Sequence, residues 1–177
     1  MIIGLSGYAR SGKDTVANVL INQYGFERVA FADPIRDMLV FVNPILENGS
    51  RLNEELRDIG WENLKLRSEV RRLLQELGMA GREIMGNDIW IISLLKKLED
   101  PNVHYVVTDV RFENEAVMIK QLGGQLWRIE RESVGPVNGH VSELELNTWD
   151  FDRVIHNNST IDSLELAVKT RIAMLIA

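Results

Sequence analysis

The residue types with the clearest chemical potential lie near the N-terminus, in a segment that reads GYARSGKDT. Gly7, Gly12 and Lys13 have the spacing of a loop whose backbone N–H groups surround phosphate oxygens while the lysine reaches the outer phosphates. The residue after the lysine is Asp14, where Ser or Thr is usual, and Thr15 comes one position later. Since that position normally supplies a hydroxyl to the magnesium of a bound nucleotide, the segment predicts a phosphate-binding loop with a deviation at the metal.

The segments on either side of this loop favour the same chemistry. Residues 1–6 form a short apolar run that is typical of a buried parallel strand. After the loop, Val16, Val19 and Leu20 fall on one face of a predicted helix, and Gly25 offers a C-terminal stop. A strand, a glycine-rich turn and a helix bring backbone N–H groups and the positive end of the helix to one point. The context therefore favours phosphate binding over a chance match.

Length and composition limit the class of protein. A chain of 177 residues predicts one domain with a full core, and 45% hydrophobic with 26% charged residues is typical of globular proteins. There is no cysteine, which excludes disulfides and thiolate metal sites and fits a cytoplasmic location. No apolar run approaches the roughly 20 residues of a membrane span, and a strand at residue 1 leaves no room for a signal peptide. The net charge of −6 argues against a broad nucleic-acid surface and leaves a local basic cleft open.

The rest of the chain alternates between strands and helices, as in α/β proteins. Further strands are predicted at residues 27–32, 103–109, 125–130 and 153–156. Further helices are predicted at residues 33–42, 64–77, 81–85, 88–98, 113–122 and 160–176, with an irregular segment at 43–63 and a break at Gly78. The pattern predicts a single three-layer α/β domain over residues 1–177 with a parallel sheet, an insertion at about 43–90 and a lid-like loop at about 131–147.

Two polar residues follow the second predicted strand. Ligands gather beyond the carboxyl ends of a parallel sheet, so Arg36 could clamp a phosphate and Asp33 could hold a hydroxyl or a metal-bound water. The alternative is a helix cap followed by a solvated arginine. The segment alone favours neither interpretation.

The helical region from Arg71 to Trp90 has a similar ambiguity. Gln75 could pair with the edge of a base, Trp90 could stack on it, and Arg82 could bind its phosphate. Equally, the tryptophan could belong to the core and the basic residues to a solvated helix face. From the residues alone, the second interpretation is favoured.

Charged residues also follow the two later strands. Asp109 ends an apolar strand where a carboxylate can meet magnesium or substrate, and Arg111 follows where it could meet a transferring phosphate. An aspartate that caps the next helix is the alternative, but it does not explain the arginine. Arg128 and Arg131 precede a loop that contains His140, and arginines in that place are typical of a lid closing over a phosphoryl donor.

Several strings together carry a family resemblance. GYARSGKDT, FADPIR, LLQELG, GNDIW, TDVRFENE and HVSE occur in this order from residue 2 to about residue 160. The chain resembles the deoxynucleoside monophosphate kinases of bacteriophages. The combination of Gly-Lys-Asp-Thr with Asp-Val-Arg-Phe is the more specific part.

The resemblance implies a nucleoside-monophosphate-kinase-like member of the P-loop NTPase fold that transfers phosphate from ATP to deoxynucleoside monophosphates with Mg²⁺. It implies ATP contacts by the loop and its lid: Gly7, Ala9, Arg10, Ser11, Gly12, Lys13, Asp14, Thr15 and Arg128. It implies acceptor contacts by Asp33, Arg36, Gln75, Arg82, Trp90, Asp109 and Arg111. Catalytic charge would come from Lys13, Arg10, Asp14, Arg111 and Arg131, and the metal would lie at Asp14 and Thr15.

The resemblance also sets expectations about partners. We expect no nucleic acid or membrane partner, a homodimer, and a cytoplasmic location, which is the host cytoplasm if a phage encodes the protein. Two alternatives stay open: a P-loop kinase for another phosphorylated acceptor, similar to phosphomevalonate or dephospho-CoA kinases, and a nucleotide-binding switch. The accepted bases and the selectivity between deoxyribose and ribose are not predicted.

Overall fold

A sheet of five parallel strands dominates the computed structural model, which describes residues 1–136 and 144–176. The strands are β1 (Ile2–Ser6), β2 (Glu27–Val29), β3 (Tyr105–Val107), β4 (Gln125–Glu130) and β5 (Arg153–His156). They lie in the order β2-β3-β1-β4-β5, and each neighbouring pair is parallel. The predicted parallel α/β sheet is confirmed, with β2 and β3 shorter than expected.

Helices follow most of the strands. They are α1 (Lys13–Tyr24), α2 (Asp33–Val42), α3 (Leu52–Leu64), α4 (Ser68–Met85), α5 (Ile89–Leu95), α6 (Glu113–Gln121) and α7 (Ile161–Ile176), and a short 3-10 helix spans Glu145–Thr148. Among the described residues, none of these helices is long and apolar enough to cross a membrane.

The chain forms two compact units. The first contains Met1–Ala30 and the chain from Leu94 on, and it holds the whole sheet with α1, α6 and α7. The second is Phe31–Ser93, with α2, α3, α4 and most of α5. The insertion predicted at about 43–90 falls within this second unit.

Alternation along β1 shows how the first unit is layered. Ile3 and Leu5 are fully buried in a core cluster with Leu20 of α1 and Val168 of α7. Gly4 points to the opposite face, where an added Cβ would lie 2.6 Å from the Ile119 side chain of α6. Because successive strand residues face opposite sides, the sheet has helices on both faces. Its strands run parallel, so the segments that follow them start from one edge of the sheet.

In the second unit, the prediction that residues 43–63 are irregular is confirmed for residues 43–51, which lie outside the helices, and is wrong from Leu52 on. Helix α3 covers most of that segment, because Leu52, Leu56 and Ile59 have helical spacing and pack into one hydrophobic cluster. The Asn, Glu and Gly residues that indicated a loop lie either before α3 or at other positions of α3. The helix is interrupted at Gly60, whose φ of 70° is outside the helical range.

The predicted helix break at Gly78 is also wrong, because α4 continues through it to Met85. Its glycines permit close packing rather than a turn. The Trp90 ring lies directly against Gly81, where an added Cβ would overlap the indole, and the Trp90 Nε1–H donates to the Gly78 carbonyl at 2.9 Å. The contact with Trp90 of α5 therefore requires glycine at position 81.

These contacts predict opposite effects for two substitutions in one helix. Gly81→Ala should lower the free energy of unfolding by about 1–3 kcal/mol, because the rigid indole leaves no room for a methyl group. Gly78→Ala should leave it unchanged or raise it by up to about 1 kcal/mol, because the nearest atom is the flexible end of Ile35 at 3.3 Å and alanine favours a helix. Urea denaturation measures both, and equal destabilisation would contradict the packing.

Candidate active site

The loop between β1 and α1 adopts a conformation that only glycine fits at two positions. Gly7 has a φ of 141° and Gly12 a φ of 108°, both in the region that L side chains rarely adopt. A Cβ on Gly7 would overlap the Ile129 carbonyl oxygen, and one on Gly12 would lie 2.5 Å from Asn157 Nδ2. The loop is thus wrapped tightly against the ends of the neighbouring strands. Arg10 also has a positive φ, 66°, and its side chain is exposed.

Lys13, the first residue of α1, turns its side chain back onto this loop. Its Nζ donates to the carbonyl oxygens of Gly7 at 2.7 Å and Tyr8 at 2.8 Å. The ammonium group therefore lies inside the curve of the loop. Ser11 is also buried there, and its hydroxyl has no hydrogen-bond partner among the described residues.

The charges around Lys13 are unbalanced towards the positive. The pKa of Lys13 is lowered from 10.5 to about 8, first by burial of the ammonium group and next by the Arg111 guanidinium. Asp14 and Asp109 act in the opposite direction, while Arg128 again lowers the pKa. A cation held in this way gains from a bound anion, because opposite charge stabilises the protonated form. The arrangement suits a ligand with several negative charges.

A pocket beside the loop collects further predicted residues. It is lined by Arg10, Lys13, Asp14, Thr15, Arg131 and Asn157, among others. A second cavity on the loop is lined by residues that include Gly7, Tyr8, Ala9, Arg111 and Arg128. The structure therefore brings the predicted loop residues together with Arg111, Arg128 and Arg131 in the first unit.

Arg128 lies within β4, in the strand predicted at residues 125–130. It is buried, with its guanidinium carbon 4.9 Å from the centre of the Tyr8 ring and 5.6 Å from that of Phe151. Its Nη1 donates to Ser6 Oγ at 3.4 Å, and its Nη2 to Asn147 Oδ1 at 3.1 Å. Aromatic and polar contacts on the sheet therefore hold the guanidinium in place, and its role as lid charge stays a prediction.

The Tyr8 hydroxyl donates to Asn147 Oδ1 at 3.0 Å, the same oxygen that accepts from Arg128. Much of the predicted lid, including His140, lies outside the described residues.

The turn after β3 carries Asp109 and Arg111 and is fixed by a buried carboxylate. Glu115 Oε2 accepts hydrogen bonds from the backbone N–H groups of Arg111 at 2.8 Å and Phe112 at 3.1 Å. These donors lie at the start of α6, where N–H groups have no partner within the helix. Asp109 is half-buried and Arg111 is exposed. Glu115 thus holds the turn, while Arg111 keeps a side chain that can reach a ligand.

In the second unit, Arg36 is held on two sides. Its guanidinium lies 3.8 Å from Asp33 and 5.9 Å from the centre of the Trp61 ring. Helix α2 begins at Asp33 itself, after Ala32 in the capping position, so the predicted aspartate cap is shifted by one residue. The ion pair and the ring orient a guanidinium that stays partly exposed.

The other predicted residues of this unit are less open. Arg82 is buried, and its Nη1 donates to the Asn87 carbonyl at 2.9 Å. Gln75 is half-buried on α4. Trp90 is buried, with its ring against Gly81 and its N–H bonded to Gly78. The stacking role predicted for Trp90 is therefore not supported, because packing between α4 and α5 covers the ring.

Sequence reasoning missed several residues that shape the site. Asn157 contacts the loop, and Tyr8 stacks on Arg128. Asn147 accepts hydrogen bonds from Tyr8 and from Arg128. None of them belongs to a local pattern that predicts such a contact. Glu115 could have been found, since a glutamate three residues after a helix start is typical of a capping interaction.

Comparison with known proteins agrees with this geometry. A family model described as deoxynucleotide monophosphate kinase matches residues 1–65 and 46–168. A protein of Acanthamoeba polyphaga mimivirus, provisionally named a deoxynucleotide monophosphate kinase, is 33% identical over 181 residues, which cover 92% of this chain and 91% of the relative. The deoxynucleotide monophosphate kinase of Enterobacteria phage T4 is 22% identical over 242 residues, covering 98% and 99%.

Among solved structures, a dephospho-CoA kinase from Campylobacter jejuni matches with a TM-score of 0.52 at 13% identity, covering 98% of this chain and 96% of that one. At this identity the likeness concerns the fold alone. The predicted P-loop kinase fold is confirmed.

The environment of Lys13 predicts an unusual titration. In the free protein its ammonium group should lose its proton with a midpoint near pH 8, and bound ATP should move the midpoint upward, because phosphate stabilises the charged form. NMR of the lysine Cε resonances against pH measures this, with Lys13→Met identifying the signal. A midpoint above pH 10 in the free protein would contradict the half-buried position of Lys13 beside Arg111 and Arg128.

Proposed function

The chain belongs to the deoxynucleotide monophosphate kinase family, and we propose that it transfers the γ-phosphoryl group of ATP to a deoxynucleoside 5′-monophosphate, giving the diphosphate. The proposal rests on the loop of Gly7–Gly12, which wraps around the half-buried ammonium group of Lys13 and lies beside further positive charge. Such a loop suits the phosphates of a nucleotide. The identity of the acceptor is inferred from the family.

The donor side of the proposal rests on the first unit. Backbone N–H groups of the loop and the start of α1 would bind the phosphates of ATP, with the Lys13 ammonium at their outer end. Arg10 and Arg131 line the pocket beside this lysine and would add charge at the γ-phosphate. Arg10 and Arg131 in that pocket, with Arg111 and Arg128 close to Lys13, make four arginines, which match the high negative charge of a triphosphate better than that of a single phosphate.

Asp14 and Thr15 are the proposed protein ligands of Mg²⁺. Both line the same pocket as Lys13. Mg²⁺ is usually bound by one or two protein oxygens with substrate phosphates and water, so a single carboxylate and a hydroxyl fit the ion. Bound Mg²⁺ would supply charge neutralisation on the phosphates. The aspartate in place of the usual hydroxyl residue would add a negative charge to this shell.

The proposed mechanism relies on positioning and charge. The acceptor is already a phosphate monoanion or dianion whose oxygen is a competent nucleophile, so no protein base is needed. Arg128, held against Tyr8 and Phe151, would give a fixed positive charge, and Arg111 a movable one. Both would stabilise the negative charge that spreads over the transferring group.

We propose that the second unit supplies acceptor binding. Arg36 is the best-supported residue, because its partly exposed guanidinium is oriented by Asp33 and Trp61 and can bind a phosphate bidentately. Gln75 and Arg82 remain proposed contacts. The burial of Arg82 and its bond to Asn87 favour a role in holding the turn after α4 as well.

The proposal also covers partners and location. We propose that the enzyme acts in the cytoplasm as a homodimer and has no nucleic-acid partner, on the basis of the family resemblance, the absence of cysteine and the net charge of −6.

A steady-state assay with ATP, Mg²⁺ and each deoxy- and ribonucleoside monophosphate tests the function. We expect diphosphate formation with at least one deoxynucleotide, and a loss of about 10³-fold or more in kcat/KM for Lys13→Met, because charge at the transferring phosphate is removed. Lys169→Met is the matched control, since Lys169 pairs with Glu165 on α7, and it should keep wild-type rates.

Three outcomes would overturn the proposal. Transfer to dephospho-CoA or phosphomevalonate but to no deoxynucleotide would identify another kinase. ATP hydrolysis without transfer to any acceptor would favour a switch. Full activity of Lys13→Met would remove the P-loop from the mechanism.

A further inference from the structure

We infer that Asn157 is a positioning residue that sets the orientation of the phosphate-binding peptide at Gly12. The inference rests on the proposed function, because it assumes that the loop holds phosphate. Asn157 directly follows β5 and is half-buried. Its side-chain Nδ2 donates to the Ser11 carbonyl at 2.8 Å. This joins the last strand of the sheet to the loop immediately before Lys13.

The hydrogen bond to Ser11 fixes the direction of the next N–H group. The described chain has no cis peptide bonds, so the carbonyl of Ser11 and the N–H of Gly12 point to opposite sides of one planar unit. When Asn157 holds the carbonyl on its side, the Gly12 N–H must face away from Asn157. A peptide turned the other way would direct a carbonyl oxygen towards the phosphates and repel them.

Asn157 is itself held firmly enough to do this. Its backbone N–H donates to the Glu130 carbonyl at 2.7 Å, which extends the pairing of β4 with β5 by one residue. The amide therefore projects from the edge of the sheet rather than from a free loop. Because the Ser11–Gly12 peptide is already fixed by this rigid side chain, little further conformational entropy is lost when the ligand binds.

The same contact explains why position 12 must be glycine. With its φ of 108°, an added Cβ would lie 2.5 Å from Asn157 Nδ2 and 3.2 Å from the Leu164 side chain. A side chain there would push the amide away from Ser11. The absence of a side chain at Gly12 thus leaves room for the hydrogen bond from Asn157 to the Ser11 carbonyl.

Another role for Asn157 makes a different prediction. It lines the pocket that contains Lys13 and Thr15, so its amide could instead contact the base of ATP directly. A base contact would matter for ATP but not for inorganic tripolyphosphate, which has no base. An oriented peptide would matter equally for both ligands. The two ligands therefore separate the roles.

The test measures binding of ATP and of tripolyphosphate by calorimetry, using the full chain. Asn157→Ala should weaken both by about 10-fold, because the orienting hydrogen bond is lost. Asn157→Asp has the same size but cannot donate to Ser11, so it should weaken both at least as much. Asn158→Ala is the matched control: its neighbouring amide bonds to Glu132 on the surface, and its affinities should stay within about 2-fold of wild type.

Steady-state kinetics give a second readout. The KM for ATP should rise by a similar factor in Asn157→Asp while the KM for the monophosphate stays within about 2-fold, which a general loss of structure would not produce. Weaker ATP binding with unchanged tripolyphosphate binding would overturn the inference, as would unchanged binding of both. If the wild type binds both ligands but transfers phosphate to no acceptor, the proposed function fails, and the binding comparison still decides the role of Asn157.

Discussion

The site is organised around the positive charge of Lys13, which is half-buried inside the loop. Burial and the nearby Arg111 and Arg128 disfavour the charge, and its pKa falls to about 8 as a result. Asp14 and Asp109 compensate only in part. A bound anion would stabilise this partly desolvated cation, so the arrangement suits a site that a ligand completes. The site is therefore preorganised to bind phosphate, and the charged form of Lys13 is less favoured while no anion is bound.

Several independent contacts keep the loop around that charge. The carbonyl groups of Gly7 and Tyr8 accept from Lys13, Arg128 stacks on the Tyr8 ring, and Asn157 holds Ser11. Tyr8 follows β1, Arg128 lies within β4, and Asn157 directly follows β5, so three neighbouring strands of the parallel sheet support the loop. This is why the topology matters for the chemistry: it places rigid strands next to a loop that must hold an exact shape in the absence of ligand.

The sequence predicted features whose cause is local. Spacing in the loop and the apolar runs before the loop and before Asp109 were enough to locate the sheet edge and its charged residues. Helix α3 was missed although Leu52, Leu56 and Ile59 have helical spacing, because the Asn, Glu and Gly content of the segment indicated a loop. The continuous α4 was missed because its glycines are explained by packing against Trp90 rather than by a turn. Trp90 and Arg128 show the same limit in the site. Whether an aromatic ring stacks on a ligand or on a helix glycine depends on tertiary neighbours that no short window contains.

If ATP binds because it neutralises the half-buried charge of Lys13, thermal unfolding should show this dependence. Saturating ATP should raise the Tm of the wild type by about 5–10 °C, as expected for a ligand at roughly 100 times its Kd. Lys13→Met should gain less than about 1 °C, and Lys169→Met should respond as the wild type does. A Lys13→Met protein that ATP stabilises as strongly as the wild type would contradict the claim.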